Sequence, residues 1–218
     1  MTGPPVAPPV PPSVAATAVA YPPDRIADPA GAAARGTRSR SGNAMGRTRA
    51  AIVTGTARCL AEHGARRTTM IDIAAASGVA KGTLYNHVRT KTEAYRLLGE
   101  SEAGRLVELL TAGPNADRAM VLAHAAETIA LHPVARRLAQ QEPTLLAAVL
   151  LPGPLTRGAY SQVRAALVLL LGGVAGPLAL RWLMSLLIDP GERAERAMTA
   201  AALARLSPAS AALTVQSR

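Results

Sequence analysis

Phenylalanine is absent from this chain, and its only other aromatics are one tryptophan and four tyrosines. That absence accords with a composition rich in Ala, Arg and Pro. Cysteine is nearly absent too. Cys59 stands alone, so no intramolecular disulfide can form, and a reduced cytosol fits. Acids are sparse: 14 Asp and Glu against 24 Lys and Arg give a net charge of +10. A surplus of that size suggests a polyanionic partner, whether DNA, RNA or an acidic membrane surface. Few acids also leave no paired-carboxylate site. The histidines, His63, His87, His124 and His132, form no i,i+4 pair and no metal-ligand cluster. A Gly-rich phosphate loop and a Gly-x-Ser-x-Gly turn are both lacking. The chain is therefore expected to have no enzymatic activity, no metal and no cofactor. Strand-like alternation is missing as well, so the fold is expected to be all-α.

What is present begins with a segment that cannot form regular structure. Residues 1–44 carry Pro4-Pro5, Pro8-Pro9, Pro11-Pro12 and Pro22-Pro23, with few large apolar residues, and read as a disordered tail. No basic region precedes a compact apolar run, so the tail is not a secretory signal. It ends on Arg35, Arg38 and Arg40, read as part of a solvated tail in preference to an arm for the minor groove.

From Gly46 to about His63, Ile52, Val53, Ala57, Leu60 and Ala61 share one helical stripe, and Gly64 ends the helix. Cys59 lies on this helix as a small buried apolar residue. Thr69 then precedes a second helix, Met70 to about Ser77. Its hydroxyl can cap the Asp72 N–H while the Asp72 carboxylate reaches back. Gly78 stops this helix, because a left-handed conformation is cheap only for glycine. Val79 and Leu84 anchor a third helix, about Ala80 to Asn86, and Ala74 gives the crossing its small side chain. Helix, tight turn and short helix make a helix-turn-helix of the kind that enters a major groove. The outer face carries Lys81, Gly82, Thr83, Tyr85, Asn86 and His87, with Lys91 just beyond. Lys81 suits a phosphate or a guanine edge, and Thr83 offers a hydroxyl and a methyl group that suits thymine. Gly82 allows close approach, while Tyr85, His87 and Lys91 suit the phosphate backbone. Arg47, Arg49, Arg58, Arg66, Arg67 and Arg89 make the surroundings basic.

Residues 47–98 resemble the DNA-binding domain of the TetR (tetracycline repressor) family of bacterial regulators. The resemblance is carried by Ile52, Ala57 and Leu60, by Glu62-His63-Gly64, and by Thr68-Thr69, Ile73-Ala74 and Ser77-Gly78-Val79. It continues through Lys81-Gly82-Thr83-Leu84-Tyr85-Asn86-His87-Val88 and Lys91-Thr92-Glu93. Val88 departs from the phenylalanine that most members carry there, though valine also occurs. The resemblance implies a homodimer, a three-helix reading domain and a larger C-terminal helical domain for dimerisation and ligand binding. It also implies that Thr69, Lys81, Thr83, Tyr85, His87 and Lys91 match the family's DNA contacts. Met45 offers a second start that would leave a chain of ordinary family layout.

The expected organisation is a tail over 1–44, a reading domain over 45–98, a regulatory and dimerisation domain over 99–208, and a flexible end over 209–218. A helix from Lys91 to about Leu110 links the two domains. Further helices are expected from the Asn115 cap to about Leu131, after Glu142-Pro143, from about Thr156 to Ile188, and from Gly191 to Leu206, with a loop at Leu151–Pro154. The apolar run Ala165–Leu180 stops at Arg181, whose burial in a bilayer costs about 2.5 kcal/mol or more. It reads as a dimer interface, with Leu167, Leu170, Leu171, Leu178, Leu183 and Leu187 supplying area, and not as a membrane span. Any ligand pocket would lie among the middle helices. The function expected is a cytoplasmic, homodimeric DNA-binding transcriptional regulator. It would act as a repressor on a palindromic operator, released by a small-molecule effector. The alternative is a helical interaction module that keeps the fold without reading DNA.

Overall fold

A computed structural model describes residues 38–113, 117–150 and 157–207. The expected tail before residue 38, the Asn115 cap, the loop at 151–154 and the segment from 208 onward lie outside the described residues. Among the described residues the regular structure is entirely helical. The helices are α1 (Arg38–Arg67), α2 (Met70–Ser77), α3 (Lys81–His87), α4 (Lys91–Leu110) and α5 (Arg118–Ala130). They continue with α6 (Pro133–Gln141), α7 (Pro143–Leu150), α8 (Arg157–Ser185) and α9 (Arg193–Arg205).

Helix α1 already includes Arg38, ahead of the expected start at Gly46, so residues 38–44 of the expected tail are helical. Its regular course breaks at Gly64, where φ is +75° and ψ is 165°. Only glycine adopts that conformation cheaply. Buried Thr68 closes the bend, donating from Oγ1 to the Gly64 carbonyl at 2.7 Å and the Cys59 carbonyl at 3.3 Å. Cys59 is buried as expected, and burial pushes its thiol up from the ordinary value, helped by the charges of Asp72 and Glu62. The cap of α5 is Asp117, whose Oδ1 accepts from the Ala119 N–H at 2.8 Å.

Two apolar cores form. The first joins Ile52, Leu60, Ile73, Leu84, Val88 and Leu98, and it also takes in Val134, Leu138 and Leu146 from α6 and α7. The three helices before α4 therefore close their core with help from later in the chain. The second core joins Leu110, Leu122, Leu167, Leu171, Leu183 and Ala200. Helix α4 is common to both, burying Ala94, Tyr95, Leu97 and Leu98 in the first and Leu110 in the second.

The apolar segment departs from expectation in two ways. It is broken at Gly172, with φ +90° and ψ 173°. A Cβ at Gly176 would lie 2.8 Å from the Val168 Cα, so the backbone folds back on itself there. The α8 sequence is long and apolar enough to cross a membrane by length and composition. The break leaves arms of 157–171 and 173–185, both short of the roughly 20 continuous residues that a span needs. Secondly, Leu167, Leu171 and Leu183 are buried in the second core and so do not supply interface area, while Leu187 is half-buried against the first. The large apolar side chains left outward are Leu169, Val174 and Leu178 on α8 and Met198 on α9. Buried Arg196 ties the turn before α9 to α5. Its Nη1 donates to the Pro190 and Gly191 carbonyls, and its Nη2 pairs with Glu127 Oε1 at 2.9 Å.

Candidate nucleic-acid interface

The short helix α3 owes its position to two local devices on α2. At the start, Thr69 and Asp72 form the reciprocal cap that the sequence leads one to expect. The Asp72 N–H donates to Thr69 Oγ1 at 3.2 Å, and the Thr69 N–H and hydroxyl donate to Asp72 Oδ2 at 2.8 and 2.7 Å. These bonds hold the Asp72 carboxyl below its usual value, the hydroxyl contributing more than the backbone N–H. At the end, Gly78 is left-handed (φ +64°, ψ 25°). Its N–H donates to the Ala75 carbonyl at 3.1 Å, and the next N–H, of Val79, donates to the Ala74 carbonyl at 3.2 Å.

Thr69→Ala is expected to cost about 1 kcal/mol of stability at neutral pH. A carboxyl with a lowered folded-state pKa contributes stability above its unfolded value, and that contribution is lost as pH falls through the folded value. The Tm gap between wild type and variant should therefore narrow below pH 3.8. A gap that stayed constant on acidification would show that Asp72 gains nothing from the cap.

Close packing of α2 on α1 rests on Gly55, which the motif and its periodicity do not single out. A Cβ there would lie 2.2 Å from Ser77 Oγ and 2.6 Å from the Ser77 nitrogen. The available signal is a glycine inside a strongly periodic helix, which needs a packing reason because it costs about 1 kcal/mol against alanine. Ala74 is buried at the same crossing, as expected.

On α3, Leu84 is 0% exposed and Val88, just beyond it, is 2% exposed, so these residues face inward. Lys81, Gly82, Thr83, Tyr85 and Asn86 are exposed, and His87 is half-buried. A Cβ at Gly82 would meet nothing within 4 Å, so packing within the chain does not require the glycine. Thr69 lies exposed at the start of α2. Lys91 is placed differently from its neighbours: it is half-buried, and its Nζ donates to the Ala65 carbonyl at 3.3 Å. The buried Tyr95 hydroxyl donates to the same carbonyl at 3.1 Å. Burial, with the charge of Glu142, raises that phenol to about 12.

Arg47, Arg58, Arg66, Arg67, Lys81 and Arg89 are all exposed, and none pairs with a carboxylate among the described residues. Arg49 is the exception in the basic set, with Glu100 at 3.1 Å. Unpaired cations on α1, on α3 and just after it suit a polyanion. The large side chains that could line a pocket among the middle helices are otherwise occupied. Tyr160 and Trp182 pack against the second core, and His124 is exposed.

Comparison with known proteins agrees with this geometry. A sequence model of the family described as bacterial regulatory proteins, tetR family, matches residues 52–95. Among solved structures, the TetR family repressor AlkX from Dietzia sp. strain DQ12-45-1b is similar at TM-score 0.53 and 20% identity, over 72% of this chain and 92% of that one. The fatty acid degradation regulator FadR from Bacillus halodurans is similar at TM-score 0.52 and 19% identity, over 73% and 94%. A candidate transcriptional regulator from Streptomyces coelicolor A3(2) gives TM-score 0.52 and 19% identity, over 74% and 98%. At these identities the likeness is one of fold. No curated protein matches the chain.

Proposed function

We propose, for a chain whose residues 52–95 match the model of the tetR family of bacterial regulatory proteins, the role of a cytoplasmic transcriptional repressor that binds a palindromic operator as a homodimer. The observation that carries this reading is the disposition of α3. Leu84 and Val88 hold it to the core, while Lys81, Gly82, Thr83, Tyr85 and Asn86 face solvent amid unpaired arginines. Thr83 and Lys81 contact base edges, and Gly82 lets the backbone come close. Thr69, Tyr85, Asn86, His87 and Lys91 contact phosphates and set the register. The Lys91 ammonium has three protons and gives one to Ala65, which leaves donors for a phosphate.

Dimerisation is supported by the outward apolar residues Val174, Leu178 and Met198 on α8 and α9. A two-fold dimer would set its reading helices about 34–36 Å apart, one turn of the duplex. Release by a small-molecule effector is supported by α4, a continuous helix seated in both cores. A ligand that shifts the second core shifts this helix, and with it the spacing of the reading helices.

Thr83→Ala is expected to weaken operator binding by about 1–3 kcal/mol and to relax one base preference. Binding selections on randomised operators with wild type and variant measure both. An identical preference in the two proteins would remove Thr83 from base reading.

A further inference from the structure

The basic residues at the end of α1 do more than add to the net charge. Arg66, Arg67 and His63 line a cleft with Arg137, Gln141 and Glu142, which come from α6 and the residue after it. Its volume is about 310 Å³, at the small end of the range for ligand sites. The break at Gly64 lies beside it: a Cβ there would come 3.1 Å from Gln141 Oε1 and 3.6 Å from Arg137 Nε.

The charges in the cleft do not balance. The one carboxylate lining it, Glu142, accepts from the Arg66 backbone N–H through Oε1 at 3.0 Å and forms no ion pair with any of the three guanidinium groups. Arg67 donates from Nε to the His63 carbonyl at 3.1 Å, leaving its two terminal nitrogens. The Arg66 side chain has no hydrogen bond among the described residues. Arg137 donates from Nη1 to the Ala61 carbonyl at 3.0 Å, but its Nε is buried with no acceptor among the described residues. A buried donor left without an acceptor is rare in folded proteins, and this one belongs to a residue that lines the cleft. His63, which also lines the cleft, has its Nε2 3.8 Å from Glu62 Oε2.

We propose that this cleft is a binding site for a small oxyanion, a molecule carrying two or more carboxylate or phosphate groups. Guanidinium groups grip such groups with paired donors, and three arginines lining one small cleft favour a ligand with more than one negative charge. The ligand joins α6 to the residues just ahead of Thr69, so its occupancy braces the junction between the two parts of the first core. The cleft takes Arg66 and Arg67 from the basic set but no side chain of α3, and it is tested without DNA.

The test is calorimetric titration of the full chain with citrate, and in a second series with pyrophosphate, at an ionic strength held constant with sodium chloride. One saturable site per chain for at least one of these probes is expected. Arg66→Ala should weaken binding at least tenfold without altering the Tm, because the Arg66 side chain makes no internal bond. Arg164→Ala, which removes an exposed charge on α8, should leave it unchanged. Absence of saturable binding to both probes would overturn the proposal, as would equal losses in the two variants. Pyrophosphate sensitivity confined to DNA complexes would assign these arginines to the duplex backbone and also overturn it. Failure to bind DNA would leave the titration fully readable.

Discussion

Leu84→Ala is expected to lower stability by about 2–5 kcal/mol and to abolish operator binding at temperatures where the wild type still binds. Leu84 is 0% exposed and is the one buried residue within α3. A seven-residue helix has too few internal hydrogen bonds to persist alone in water. Its fold therefore depends on this anchor, on Val88 beside it and on the turn at Gly78. Removing the side chain takes away both its transfer free energy and the packing around it. Chemical denaturation of wild type and variant measures the loss of stability, and fluorescence anisotropy with operator DNA measures the loss of binding. A variant that unfolded at the wild-type denaturant midpoint would show that α3 is held by something other than the first core.

If the proposed dimer forms through the outward face of α8, Leu178→Arg is expected to convert it to a monomer. Leu178 is 40% exposed and lies four residues after Val174, which is 73% exposed, on the same side of the second arm of α8. Arg181, also exposed, continues the stripe and would bound the apolar part. In a two-fold interface each substitution enters twice. An unpaired buried charge costs about 3–5 kcal/mol, so the dissociation constant should rise by several orders of magnitude. Sedimentation equilibrium provides the measurement. The substitution lies outside the first core, so the monomer should retain the Tm of its reading domain. Persistence of a full-strength dimer would place the interface elsewhere.

What could be read from the sequence was mostly what is decided locally. Thr69 and Asp72 are three residues apart, and Gly78 closes the same short helix, so the cap and the stop were visible without tertiary information. The inward place of Leu84 follows from helical spacing alone. The failures concern choices made by distant parts of the chain. Asp117 and Asn115 are both good caps, and the sequence does not say which the tertiary structure selects. The apolar run of α8 reads as one long helix, whereas the backbone breaks at Gly172 and brings Val168 against Gly176. The leucines of α8 share one apolar pattern, and only the positions of α4, α5 and α9 decide which of them are covered. Gly55 was legible in principle, as an unexplained glycine in a helix. The approach of Arg137 to Ala61 joins residues far apart in sequence and left no local trace.

The candidate contacts divide in the same way. Exposure of Lys81, Thr83, Tyr85 and Asn86 follows from the helical phase set by Leu84. The hydrogen bond from Lys91 to Ala65 does not, because it depends on how α4 crosses the end of α1.

The most direct measurement is a fluorescence anisotropy titration of the purified full chain against duplex fragments tiling the DNA around its own gene. It is run at low ionic strength, then at increasing salt, beside the double variant Lys81→Ala/Thr83→Ala. The account predicts one fragment bound far more tightly than the rest. It also predicts an affinity that falls steeply with salt, and a preference for that fragment that disappears in the double variant. Equal, weak binding to all fragments, or a preference that survives in the double variant, would contradict the claim that the exposed face of α3 reads DNA.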